Sequence, residues 1–385
     1  MVSKPIYQDI MKQIYLDNNT SAKPTETIYQ GMLPFLKNEF ASTSSPYFLG
    51  QDQLSHAQKA LNNITKLLGA KKEDKILFCS SGAEAQNHVV FSTYLDITRT
   101  NGKNHFLSSI IDEAPTILSM HRLEKLGVLV KHVPVSQSGH VTIKEVEEAI
   151  SPRTAILSLS LACGLTGVIC DTYEIQKLCK ERSILLHLDL THVLGKVAID
   201  LHELGADIAT FNGQQLHAPK GSGGIWIKEK VELSPFIFGE NLNVAALVAL
   251  GIAAEESYNR LDFMSLEVAR LRDYFERKIL NEIEGSKVLF QESMRTPSCS
   301  CISFEGILNE PLLYLLSQKG VFASFGGGNF QKLSSMLTSM GIDTLIANSA
   351  LSFSLAFDTT QNDLDEAIAK ISSCVKYLKK LRGSL

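Results

Sequence analysis

Thr210-Phe-Asn-Gly-Gln-Gln-Leu-His-Ala-Pro-Lys-Gly-Ser-Gly-Gly224 is the stretch on which the reading of this chain turns. It starts in a short apolar run, Asp207 to Phe211, and passes at once into glycines, so the backbone leaves a strand through a tight turn. Upstream, Thr154-Ala-Ile-Leu-Ser-Leu-Ser-Leu-Ala162 is a second apolar run, 171–182 has helical spacing, and Ile184-Leu-Leu-His-Leu-Asp-Leu190 is a third β-like run. Together these make a βαβ unit. Asp171 with Glu174 three residues on reads as a capping-box-like helix start.

The same alternation extends from about residue 52 to 255, with a helix at 52–69, the run Ile76 to Cys79 and a helix from near Ala83. Alternation of this kind implies an α/β fold whose mainly parallel sheet is covered by helices on both faces, with ligands gathering at the carboxyl ends of the strands. Asp189, Thr210 and Ser80–Gly82 fall at such ends. After Tyr258 the texture changes: a long amphipathic helix (261–284), a strand at Cys299 to Phe304, a helix at 309–319, a strand near 351–356 and a helix at 361–380. The expected organisation is a large domain, 21–258, and a smaller α+β domain, 259–385, joined by segment 1–20. Gly326-Gly-Gly-Asn329 reads as the mobile loop of the second domain.

With 385 residues the chain can bury a substantial core. A net charge of −4 with both signs interspersed leaves no footprint for a polyanion, which argues against nucleic acid as a partner. No apolar run approaches the roughly 18–20 residues that span a bilayer, and Met1 to Asp17 lacks a basic-then-apolar leader, so a cytoplasmic protein without a membrane segment is expected. The seven cysteines are odd in number, scattered and set in apolar runs, as buried reduced thiols are.

Four segments, in order and spacing, resemble the cysteine desulfurase (NifS-like) family of class V aminotransferases. They are Ile14-Tyr-Leu-Asp-Asn-Asn-Thr20, Ser80-Ser-Gly-Ala-Glu-Ala-Gln-Asn87, His187-Leu-Asp-Leu-Thr-His192 and the Gln215 stretch. Weaker matches at Arg295–Phe304 and Ser349–Leu355 extend the likeness over nearly the whole chain. The resemblance implies the type I fold of pyridoxal-phosphate-dependent transferases, a homodimer, and an ancestral context of sulfur transfer and iron–sulfur cluster assembly.

Position by position, the resemblance implies that most reacting groups have been replaced. Gln215 stands where the lysine that holds the cofactor would be, and a carboxamide nitrogen is too weakly basic to condense with an aldehyde. Glu113 stands at the ring-stacking histidine, Gly164 at an asparagine over the ring, Ser352 at the arginine that clamps the substrate carboxylate, and Asn329 at the sulfur-accepting cysteine. Asp189, the partner of the pyridine nitrogen, is retained, and His192 replaces a glutamine beside it. For the phosphate, the resemblance points to the helix N-terminus at Gly82 and Ala83, with Thr210, Asn212 and Gln214 near it. Ala83 replaces a threonine there, Asn212 a serine and Gln214 a histidine. The Gly-rich, arginine-bearing loop after Leu233-Ser-Pro235 is missing, and Asn241 takes its threonine's place.

Other groups keep two readings. Lys220 is either a displaced Schiff-base lysine or a turn lysine near the surface. His187, Asp189 and His192 form an H-x-D-x-x-H array, read as metal ligands or as hydrogen-bonded core residues. Cys299 and Cys301 share a strand face without a second pair to complete a zinc site. The expectation is a pseudoenzyme acting as a scaffold or regulator, a homodimer or the partner of another protein. Pyridoxal phosphate, if bound, would be held without a covalent link. The alternative is an enzyme that uses pyridoxal or pyridoxamine phosphate non-covalently for a limited reaction on an amino acid.

Overall fold

The computed structural model describes residues 12–239, 242–327 and 332–382, so Asn241 and Asn329 lie outside the described residues. A seven-stranded sheet has the spatial order β2-β8-β7-β6-β5-β3-β4. Its strands are β2 (Lys75–Cys79), β3 (His105–Ser109), β4 (Leu129–Val133), β5 (Thr154–Ser160), β6 (Leu185–Asp189), β7 (Ile208–Asn212) and β8 (Gly223–Ile227). All are parallel except β8, which runs antiparallel to both of its neighbours, β2 and β7. Because β8 reverses direction between them, β2 points the same way as β7. The turn after β2 therefore opens on the same edge as Asp189 and Thr210.

The expected βαβ unit is present as β5, the helix Tyr173–Glu181 and β6, in register from Ile156 against Leu185 to Ser160 against Asp189. Every residue of β5 is buried, which is why it reads as a continuous apolar run. The capping box at 171–174 is not formed. Thr172 is the N-cap, Asp171 Oδ1 accepts from the Tyr173 amide at 3.0 Å, and Glu174 turns outward to Lys177. Asp171 stands one residue too early for a reciprocal exchange with the third helical residue.

Helix α1 (Glu26–Lys37) and helix α2 (Phe48–Leu67) pack with the helix Val244–Asn259 beside the sheet. That last helix is apolar nearly all round because it is buried nearly all round. Gly251 permits its close crossing with α2, since a Cβ there would stand 2.4 Å from the Ala60 Cα. Helix α3 (Gly82–Thr93) begins at the Ser80–Gly82 turn.

The remaining chain builds a three-stranded antiparallel sheet in the order β12-β10-β9, from β9 (Ser286–Leu289), β10 (Cys299–Phe304) and β12 (Ala350–Ser354). The helices Ala269–Glu282, Asn309–Gln318 and Gln361–Arg382 pack with it around an apolar cluster centred on Phe275, Phe304 and Phe353. Within the expected long helix, Met264–Val268 forms a π-helical turn, and the helix ends at Glu282. Of the expected opening strand only β1 (Ile14–Tyr15) is formed, paired in parallel with β11 (Val321–Phe322). Asn18 then donates to the Ser354 carbonyl at 2.9 Å, which holds the N-terminal segment against the end of β12 in the small sheet.

Candidate functional site

The carboxyl edge of β5, β6 and β7 faces the start of α3, and Gln215, Gln214, Asp189, His192 and Glu113 lie along it. Gln215 is buried in the short helical turn after β7, and its Nε2 donates to the Asn19 and Thr20 carbonyls at 3.1 and 3.3 Å. Gln214 donates to the Thr20 carbonyl at 3.2 Å. The two amides thus fasten the N-terminal segment over this edge. Lys220 is exposed on the following turn, as the surface reading expects.

Asp189, at the end of β6, is buried, and both its oxygens are engaged. Oδ1 accepts from the Thr191 amide and hydroxyl at 3.0 and 2.7 Å, and Oδ2 accepts from Gln86 Nε2 at 2.6 Å. Burial, and then the neighbouring Glu113, push its carboxyl up to about 6. Both carboxyl oxygens of Asp189 thus have donors within the chain.

His192 and Glu113 meet side chain to side chain, Nε2 to Oε1 at 2.8 Å. Burial drives their pKa values apart, raising Glu113 to about 8 and lowering His192 to about 3. Asp112, next in the chain, is also buried; it accepts from the Ser109 and Ser160 amides, and burial lifts it to about 7. Such a concentration of perturbed acids is the usual mark of a functional cleft. Here, however, each is already paired within the chain.

At the start of α3, Ser81 is the N-cap and accepts from the Glu84 amide at 3.0 Å. The Glu84 carboxylate folds back and accepts from the Ser80 amide at 2.9 Å and from the Ser80 hydroxyl. Glu84 thus ties the turn in front of α3 to the first turn of the helix. Gly82 lies against Asn212, with room for no side chain: a Cβ would stand 2.9 Å from the Asn212 Cβ. Ala83 has no polar group to offer. The hydroxyl of Thr210 is turned away from this turn to His187 Nε2, at 2.9 Å.

The metal reading of the H-x-D-x-x-H array does not hold. His187 places its other nitrogen on the Ser158 hydroxyl at 2.8 Å, so both ring nitrogens are satisfied in the core, and its two companions bond elsewhere. Burial pushes the His187 pKa down to about 3. Cys299 and Cys301 are buried core residues, and Cys299 Sγ lies 3.8 Å from the Ser352 Oγ. Ser352 thus faces a thiol within the small sheet, where the resemblance places a substrate arginine. The Gly164 carbonyl accepts from Asn19 Nδ2 at 2.7 Å.

Three residues here escaped the sequence reading. Lys196 is buried and donates to Asn19 Oδ1 at 2.5 Å, and burial lowers its pKa to about 8. Gln86 donates to Asp189, and Glu84 accepts from the turn before α3. Glu84 had a legible signal, because Ser81-Gly-Ala-Glu84 is itself a capping-box pattern. Nothing in the local sequence marked Gln86 or Lys196.

Two small cavities lie at this edge among the described residues. One of about 10 Å³ is lined by Glu113, Cys163, Gly164 and Met336, and one of about 30 Å³ by Lys196, Gln215, Arg260 and Phe357. Small-molecule sites are typically roughly 300 Å³ or more.

Among known proteins, the family model described as Aminotransferase class-V matches residues 14–242. A cysteine desulfurase of Gluconacetobacter diazotrophicus is 28% identical, with 96% of this chain and 95% of the relative covered. The cysteine desulfurase NifS of Azotobacter vinelandii is 29% identical, with 96% and 94% covered. A solved structure described as a NifS-like protein superposes with a TM-score of 0.88 at 25% identity, covering 95% of this chain and 100% of that one.

Proposed function

The chain belongs to the class V aminotransferase family and is cysteine desulfurase-like in sequence and fold, and we propose that it is a pseudoenzyme of that family, acting as a scaffold or regulator. The observation that carries this reading is the filled site. Where a lysine amine would be needed stands the Gln215 amide, tied to two carbonyls. Gln86 covers Asp189, and Glu84 covers the phosphate-binding turn. On this reading the residues present do not fit pyridoxal phosphate, so no catalytic step is assigned through it.

The relatives named above are cysteine desulfurases, one of them NifS. Sulfur transfer and iron–sulfur cluster assembly are accordingly the context proposed for this chain, with a protein partner drawn from it. A homodimer is proposed as the working form. Its support is the run Phe236-Ile-Phe238, which leaves Ile237 62% and Phe238 83% exposed although both are large and apolar. A division into the 21–258 and 259–385 domains is consistent with the two sheets.

The test is titration of the full chain with pyridoxal phosphate and pyridoxamine phosphate in a calorimeter, combined with borohydride reduction and a cysteine-to-alanine assay. No heat of binding at high micromolar concentration, no covalent adduct and no alanine are expected. A yellow band that borohydride fixes to a lysine such as Lys196 or Lys220 would overturn the reading. Saturable binding without that adduct would establish the second reading, non-covalent use of the cofactor, which the retained and buried Asp189 favours.

A further inference from the structure

Away from this edge, three side chains of metal-ligating type come together where α1 passes into α2. Pro34 lies inside α1, and its carbonyl accepts from both the Asn38 and Glu39 amides, which ends the helix and leaves Glu39 just beyond it. Asp52 and His56 are four residues apart on α2, so they share one face of that helix. His56 Nε2 stands 3.9 Å from Glu39 Oε2 and 4.0 Å from Asp52 Oδ2, and the three candidate ligand atoms all lie within 4.8 Å of one another.

These distances are too long for hydrogen bonds but suit a shared ion. A point equidistant from three atoms so spaced lies at most about 2.5 Å from each, and rotamer adjustments of a few tenths of an ångström bring it to the roughly 2.0–2.2 Å of zinc–nitrogen and zinc–carboxylate bonds. The side chains are between 33% and 46% exposed, which gives an ion a path in. The Phe35 ring meets the His56 ring edge to face at 5.1 Å and orients the imidazole.

A second observation points the same way. Gln53 is only 2% exposed, and its Nε2 reaches the same Glu39 oxygen, at 3.5 Å. Its Oε1 is buried with no hydrogen-bond partner among the described residues. A buried carbonyl oxygen without a donor is unfavourable, and a water bound to an ion at Glu39, Asp52 and His56 would supply the missing donor.

We propose that Glu39, Asp52 and His56 bind one divalent transition-metal ion of zinc type, with Gln53 as the outer partner that holds an ion-bound water. One imidazole and two carboxylates select such an ion over magnesium or calcium, which take oxygen ligands. The ion would tie the chain after α1 to α2 and so fix segment 38–47, which presents Phe40 at 84% and Tyr47 at 57% exposure.

The experiment is calorimetric titration of the chelator-stripped full chain with ZnCl2, with metal analysis after desalting and circular dichroism of every variant. One zinc per chain is expected, unaffected by millimolar magnesium. Glu39→Gln, Asp52→Asn and His56→Ala should each weaken binding by at least about tenfold, as should Gln53→Ala with the stoichiometry kept. The melting temperature should rise with zinc in the wild type but not in His56→Ala. His121 and His132, with their Nε2 atoms 2.9 Å apart, are another place among the described residues where zinc could settle, so His132→Ala serves as the control. Absence of saturable binding, binding unchanged in folded His56→Ala and Glu39→Gln, or loss of binding in His132→Ala would each refute the site.

Discussion

Raising the pH from 6.5 to 8 is expected to weaken the fold by about 2 kcal/mol through the Glu113–His192 pair, and Glu113→Gln should abolish that loss. In the folded chain the pair holds one proton between pH 3 and 8, because burial raises Glu113 to about 8 and lowers His192 to about 3. Which partner carries the proton does not alter the count. In the unfolded chain the two titrate near their ordinary values, 4.5 and 6.5. Between those values both states hold one proton, and the pair contributes no slope.

Above pH 6.5 the unfolded chain has lost its last proton while the folded pair keeps one, so stability falls as pH rises, up to pH 8. That interval is 1.5 pH units at about 1.4 kcal/mol each, hence about 2 kcal/mol. Below pH 4.5 the unfolded chain takes a second proton that the folded pair refuses until about pH 3, and a similar amount is lost on that side. In Glu113→Gln the alkaline limb disappears, while His192 alone produces an acid limb that begins at 6.5. Urea unfolding between pH 4 and 9, followed by the fluorescence of the single, fully buried Trp226, measures both proteins. Taking their difference cancels the contributions of Asp112 and Lys196, and Asp189, which Glu113 helps to raise to about 6, titrates below the 6.5–8 window. A difference that stays constant from pH 6.5 to 8 would refute the pairing.

Gln215→Lys should release no alanine from cysteine, because Glu84, Gln86, Glu113 and Ser352 remain; measurable turnover in that variant would contradict the filled-site reading. Arg295→Met should cost about 3–5 kcal/mol in chemical denaturation, since it strands Glu276, its buried partner at 2.7 Å, whereas Arg295→Met combined with Glu276→Gln should cost less. Ser81→Ala should lower stability by about 1 kcal/mol through loss of the α3 N-cap. All seven cysteines are buried, so a thiol reagent should label none rapidly in the folded chain and all seven in denaturant.

Much of the fold was legible because it rests on short-range rules. The β5–β6 unit, β10 and the C-terminal helix sit within a few residues of where periodicity places them. The π-helical turn at Met264–Val268 and the missing capping box at Asp171 were not legible, because one residue of backbone phase decides each. At the candidate site, the replaced positions could be read one by one, since a carboxamide or a serine has its chemistry wherever it stands.

What fills the site could not be read that way. Gln86 reaches Asp189 across 103 residues of sequence, and Glu113 reaches His192 across 79. Local sequence carries no record of such distances. By itself the sequence determined that Gln215 cannot form a Schiff base, because amide resonance is a property of the residue. Only the tertiary structure decided that Asp189, His192 and the α3 N-terminus have partners within the chain, because burial and hydrogen bonding depend on which side chains the sheet brings to one edge.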